Sequence, residues 1–176
     1  MENITVRPET ADDIRAIDVV NISAFEGEGE ARLVTALREL SGDTKILSLV
    51  AEFNGRIVGH LMLSPVAVHQ RDQDVTALAL APMSVVPSQS HRGIGTELVE
   101  ASIAIAKQKG YKVILVAGHP DYYKRFGFRN ASDWELNTNL PVPEEALLVL
   151  ELEEGILHKG GTVTYPAPFL ECYNCY

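Results

Sequence analysis

Residues 87–110 read PSQSHRGIGTELVEASIAIAKQKG, a polar run opened by proline that passes through Gly93-Ile94-Gly95 into a helical pattern. Ile94, Leu98, Ala101 and Ile105 recur at helical spacing, and Gly110 after Lys107 and Lys109 marks a C-terminal stop. A helix is therefore expected to start near Gly93 to Gly95. Its first N–H groups have no acceptor inside the helix, so the preceding turn can aim several of them at one anion, with the helix dipole adding to the attraction. Glycine at 93 and 95 removes the Cβ atoms that would keep a phosphate from the backbone. Thr96-Glu97-Leu98 replaces the Gly-Lys-Ser/Thr of a nucleoside triphosphate loop, and Leu98 stands where a dinucleotide fold has its third glycine. A plain tight turn and a phosphate seat are both open at this point.

Working outward, the strand before this turn, TALALAPMSVV, is apolar nearly throughout, as a strand buried on both faces would be. Pro82 inside it cannot donate a ladder hydrogen bond, which predicts a bulge or a local parting of strands. After the helix, KVILVAG is a second continuous apolar strand, so strand, helix and strand form a crossover with parallel strands. Upstream, LSLVAEF and RIVGHLMLSPVAV flank Asn54-Gly55, a strong hairpin signal. Further upstream, ITV reads as a strand, Thr10 and Asp12 offer cap oxygens, and Ile14, Ile17 and Val20 begin a helix. The acidic-glycine stretch Glu26 to Glu30 interrupts the helical pattern, which resumes with Leu33, Leu37 and Leu40 and ends at Ser41-Gly42-Asp43. Downstream, PDYYKRFG is a short helix in which Asp121 can cap and Gly127 can terminate. ALLVLELEE is a last strand, and HKGGTVTYPAPFLECYNCY is a turn-rich tail expected to wrap the surface. The expected architecture is one α/β domain over residues 1–176: antiparallel strands early, a parallel pair in the middle, helices on both faces.

At 176 residues the chain can bury a core without staples. Its two cysteines, Cys172 and Cys175, form no disulfide framework, so a reducing cytoplasmic setting is the expectation. MENITVRPETADD lacks the basic and apolar regions of a signal peptide, and no apolar run has the length of a membrane span. Fifteen Lys and Arg against twenty-four Asp and Glu leave a net charge of −9, which opposes binding to nucleic-acid phosphates and mildly favours a cationic small substrate.

MSVVPSQSHRGIGTELV resembles motif A of the GCN5-related N-acetyltransferases, in which a central strand, a pyrophosphate-binding turn Q/R-x-x-G-x-G/A and a helix follow one another. The order of elements fits that family over most of the chain, and the C-terminal part most resembles its YhbS-like branch. The resemblance implies acetyl-CoA as co-substrate, with its pyrophosphate on the turn formed by Ser90, His91, Arg92, Gly93, Ile94, Gly95 and Thr96. It also implies that the pantetheine arm pairs with backbone groups left free near Met83, Ser84, Val85 and Val86, where the third apolar strand and the next one splay apart. Ser90 departs from the family pattern of Gln or Arg, so the phosphate contact is expected to differ there, with His91 and Arg92 as substitutes. A homodimer is the arrangement common in the family, and no metal is implied.

Acetyl transfer to an amine needs a neutral amine, stabilisation of the oxyanion on the thioester carbonyl, and a proton for the departing thiolate. The family places a tyrosine four residues before the glycine of a Gly-Phe pair, which is Tyr123 here. A phenol is protonated at neutral pH, so Tyr123 is the expected general acid and also touches the cofactor, while Tyr122, Phe126 and Phe128 read as packing residues. The oxyanion donor is expected to be a strand amide near Val85. Many relatives carry a base as a glutamate on the central strand, and TALALAPMSVV has none, so His119 or a relayed water is the candidate. Glu26, Glu28 and Glu30 could attract a cationic amine or could form a solvated acidic loop. Cys172-x-x-Cys175 has redox spacing without a second ligand pair, and His60 and His69 read as structural. The expected activity is transfer of acetyl from acetyl-CoA to a primary amine by direct attack in a ternary complex. A non-catalytic acyl-CoA-binding module and an enzyme for a longer acyl-CoA are the alternatives.

Overall fold

The structure, a computed structural model, describes residues 3–41 and 46–173. The expected helix stop at Gly42-Asp43 and the second cysteine of the C-terminal pair, Cys175, lie outside the described residues. The chain forms two compact units, Met1–Leu63 with Ala81–Ile105 and Ser64–Leu80 with Ala106–Tyr176. Two long strands, β3 (Arg56–His69) and β4 (Asp74–Val85), and helix α3 (Ile94–Gln108) contribute residues to both.

In the first unit, β1 (Ile4–Pro8) lies antiparallel to β2 (Leu47–Phe53), and β2 to β3, giving the order β1-β2-β3-β4. Asn54 and Gly55 both take positive φ, 50° and 74°, the backbone that a two-residue hairpin turn requires, so the hairpin forms as expected. Helix α1 (Ile14–Phe25) is entered through a short turn at Ala11–Asp13. There the Thr10 N–H donates to Asp13 Oδ2 at 2.7 Å and Arg7 Nη1 reaches the same oxygen at 2.7 Å. Asp13, not Asp12, therefore carries the capping charge. Helix α2 (Gly29–Ser41) follows after the break at Glu26, whose φ of 54° ends α1.

In the second unit the order is β3-β4-β5 (Val113–Ala117)-β8 (Leu147–Glu151)-β6 (Arg129–Asn130), with β9 (Gly161–Thr164) on β3 and β7 (Leu136–Thr138) on β9. Strand β5 (Val113–Ala117) is parallel to β4 and antiparallel to β8 (Leu147–Glu151). Two pairs hold the expected parallel partnership, Leu78 with Ile114 and Ala79 with Leu115, whereas β8 follows β5 through all five of its residues. Among the described residues, Val116 and Ala117 thus pair with β8 and not with β4. Helix α3 closes as its glycine stop promised: Tyr111 N–H donates to Ala106 O and Gly110 N–H to Lys107 O.

The tail departs from expectation. Residues Gly161–Thr164 form β9, antiparallel to β3 and parallel to β7 (Leu136–Thr138), and Ala167–Tyr173 form helix α5, which seats a fully buried Phe169. The Gln70 side chain supports this segment, donating to the carbonyls of His158 and Gly160 and accepting from His158 N–H. Among the described residues no helix is long and apolar enough to cross a membrane.

Candidate active site

The first unit holds the turn expected to seat an anion, here the anion turn. A short helical turn, Pro87–Gln89, leaves β4, and the Ser90 hydroxyl donates back to the Pro87 carbonyl at 2.8 Å. Ser90 therefore closes its own turn. His91 and Gly93 follow with φ of 65° and 78°, and α3 begins at Ile94. Gly93 meets no heavy atom within 4 Å, so its backbone angle and not crowding demands glycine. Glu97 N–H donates to Gly93 O, so the amides before it precede the first intrahelical bond and share the positive end of the helix dipole. The Arg92 guanidinium lies 5.7 Å from the centroid of the Phe53 ring at the end of β2. The buried face of α3 is Ile94, Leu98, Val99, Ser102 and Ala106; Ala101 and Ile105 are only half-buried, so the helix is rotated slightly from the expected stripe.

Strand β4 supplies the second feature. Val86 N–H donates to Val58 O at 2.8 Å, and Val86 O accepts from Gln89 N–H, so the Val86 main chain is not free as expected. Successive amides of a strand point to opposite edges. With Val86 and, by alternation, Ser84 directed at β3, the edge away from β3 carries the main-chain groups of Met83 and Val85. Ser84 instead turns its side chain into the core, where its hydroxyl donates to Asn21 Oδ1 at 2.9 Å. The Ala81-Pro82 peptide just before this segment is cis.

The second unit holds the tyrosine. Helix α4 (Pro120–Lys124) starts with proline in its first turn, and the His119 carbonyl accepts from Tyr122 and Tyr123 N–H. Asp121 thus lies one position inside the helix and is not the cap. Gly127 N–H donates to Lys124 O, as a helix stop should. Tyr123 is buried, with Tyr122 edge-on at 5.0 Å and Phe128 at 5.7 Å, so the packing roles of its neighbours hold. Burial, with the Tyr122 and Tyr173 phenols adding, pushes its phenol well above the usual tyrosine range. The His119 side chain is exposed. One determinant was missed from sequence: Gly118, where a Cβ would stand 2.8 Å from Tyr123 Cε2.

The acidic stretch divides. Glu26 is exposed, Glu28 pairs with Arg32 at 2.8 Å, and Glu30 is buried in the first turn of α2. Only Glu26 keeps the form of an exposed attractor. His69 pairs with Asp74 at 3.1 Å on the surface, and Cys172 is buried in α5. His60 is structural in a sense that sequence did not show: it joins Asn21, Ser48 and Ser84 in a buried polar chain.

Strand β4, the glycine turn and helix α3 follow one another in the order the resemblance implies, and this chain belongs to the GCN5-related N-acetyltransferase (GNAT) family: an acetyltransferase (GNAT) domain matches residues 5–131. Among its relatives, the N-acetyltransferase YhbS of Escherichia coli is 30% identical over 93% of this chain and 97% of its own length. YjhQ of Escherichia coli is 32% identical over 77% of this chain and 74% of its own length. The crystal structure of Escherichia coli YhbS in complex with CoA covers 96% of this chain and 93% of its own with a TM-score of 0.86. A GNAT acetyltransferase from Brucella melitensis in complex with acetyl-CoA covers 96% and 99% with a TM-score of 0.75, both at 29% identity.

Proposed function

We propose that this enzyme transfers an acetyl group from acetyl-CoA to a primary amine, of a small molecule or a protein, by direct attack in a ternary complex. The observation that carries the reading is the match over nearly the whole chain to two relatives solved with CoA and acetyl-CoA. The turn from Ser90 to Thr96 takes the pyrophosphate through backbone amides. Met83 and Val85 offer main-chain groups to the pantetheine arm, and the Val85 N–H supports the oxyanion. Tyr123 gives its proton to the departing thiolate, His119 receives the amine proton, and Glu26 draws in a cationic acceptor. The reading includes one catalytic domain over residues 1–176, working in the cytoplasm as a homodimer. No metal enters any step.

A screen of amine classes for thiol release tests the reaction; tight acetyl-CoA binding without thiol release for any amine would instead make the chain a binding module. The acid is tested by Tyr123→Phe, which is expected to lower kcat by about a hundredfold or more, the range for general acid catalysis. An acid fails when it loses its proton, so activity falls as pH rises through its pKa. Because burial raises the Tyr123 phenol, the alkaline limb of kcat belongs above the ordinary tyrosine range. A kcat within a few-fold of wild type across pH would remove Tyr123 from the mechanism.

A further inference from the structure

Four polar side chains of the first unit form one buried chain. The Ser84 hydroxyl on β4 donates to Asn21 Oδ1 on α1 at 2.9 Å, Asn21 Nδ2 meets His60 Nδ1 on β3 at 3.2 Å, and His60 Nε2 meets Ser48 Oγ on β2 at 2.9 Å. Asn21 Nδ2 also donates to the Ile17 carbonyl at 3.2 Å. Asn21 and His60 are 0% exposed, Ser84 3% and Ser48 7%. Val50 and Met62, cross-strand partners of His60 and Ser48, share their face of the sheet and are 0% exposed.

The direction of every bond follows from chemistry. Turned the other way, the Asn21 amide would set its oxygen against the Ile17 carbonyl, so Nδ2 must face both Ile17 and His60. Both of its hydrogens are then donated, and His60 Nδ1 must accept. The imidazole is neutral, with its proton on Nε2 directed at Ser48, which agrees with the burial that lowers its pKa. An amide has no proton to pass on, so this chain cannot relay one to or from Ser84. What it can do is hold geometry, since a fully satisfied buried network specifies a single arrangement where an apolar core would tolerate several.

The residue held is Ser84, between the two whose main-chain groups face away from β3. We propose that Asn21, braced by His60 Nδ1, is a positioning residue that fixes β4 through Ser84 so that Met83 and Val85 present their main chain to the pantetheine arm. This rests on the reading of β4 as the donor-binding strand. The anion turn lies beyond Val86 and has its own closing bonds, so the two halves of the CoA molecule should respond differently when the brace is cut.

Calorimetry with two probes tests this: acetyl-CoA, and the nucleotide half of CoA without pantetheine. Asn21→Leu and Ser84→Ala are expected to weaken acetyl-CoA by about tenfold, the scale of one lost buried hydrogen bond, with the nucleotide half unchanged. Two milder variants separate positioning from mere stability. His60→Asn keeps an acceptor where Nδ1 stood and should retain wild-type acetyl-CoA affinity; His60→Gln places its amide at the Nε2 end, loses that acceptor and should behave like Asn21→Leu. Equal weakening of both probes, or equal effects of the two His60 variants, would overturn the proposal while leaving the donor strand in place. A wild-type protein that gains no affinity from the pantetheine arm would overturn the donor-strand reading and the proposal with it.

Discussion

A Cβ on Gly118 would stand 2.8 Å from Tyr123 Cε2, closer than two carbons can pack, and the ring has little room to retreat because Tyr122 and Phe128 stand edge-on to it. Gly118→Ala is therefore expected to tilt the Tyr123 ring and lower kcat by about tenfold, from misplacing the proposed acid, while affinity for the nucleotide half of CoA stays the same. In a Tyr123→Phe background the same change should add almost nothing to the loss in kcat, since the two act through one phenol. Additive losses in the double variant would show that Gly118 acts elsewhere. Tyr123 is a candidate in the sequence only through the resemblance, which counts four residues back from Gly127-Phe128. Gly118 could not, since a glycine after an apolar strand reads as the start of a turn, and its real constraint is a ring five residues further on. Ser90 was legible as a departure, but only coordinates show its hydroxyl spent on the Pro87 carbonyl.

Among the elements, the placement of α3 governs the anion turn, and Gly59 on β3 governs α3. A Cβ there would lie 3.0 Å from Leu98 Cδ1, 3.1 Å from Ile94 Cγ2 and 3.2 Å from Ala51 Cβ, so the N-terminal half of α3 rests against β3 with no clearance. Gly59→Val is expected to lift that end of the helix and weaken the nucleotide half of CoA by about tenfold, in line with the cost of overpacking a filled core. Gly110→Ala at the other end should cost about 1 kcal/mol of stability through its positive φ and leave affinity unchanged. Calorimetry and thermal melts on the two variants check the contrast, and a Gly59→Val protein with unaltered affinity would break the link. The hairpin at Asn54-Gly55, the β4–α3–β5 order and the ends of α3 were all legible because their signals are local. The tail was not: β9 has four residues, its partner β3 is more than ninety positions away, and the Gly-Gly and Pro around it say turn.

At the scale of the whole chain, two buried groups, His60 and Asp13, shape how stability responds to acid, and both were unreadable as such in sequence. His60 is kept neutral by burial, with the Arg38 cation adding, which lowers its pKa from 6.5 to about 3. Between those values the unfolded chain holds a proton that the folded chain lacks, so the stability from His60 is whole above pH 6.5 and drains as pH falls toward 3. One proton sets a slope of at most about 1.4 kcal/mol per pH unit. Asp13 acts with the same sign from the opposite ionisation: the bond from Arg7, then the Thr10 N–H, hold its carboxylate ionised below the usual range. Its share is present above pH 3.8 and is lost as pH falls further. Urea unfolding midpoints are therefore expected to decline in two overlapping stages between about pH 7 and pH 2. His60→Asn should flatten the first stage and leave the second; Asp13→Asn should do the reverse while lowering stability near neutrality, where its ion pair with Arg7 is intact. A wild-type midpoint that stays level from pH 6.5 down to 4 would mean that the imidazole is not held neutral in the fold, and the direction assigned to each bond between Asn21 and Ser48 would have to be redrawn.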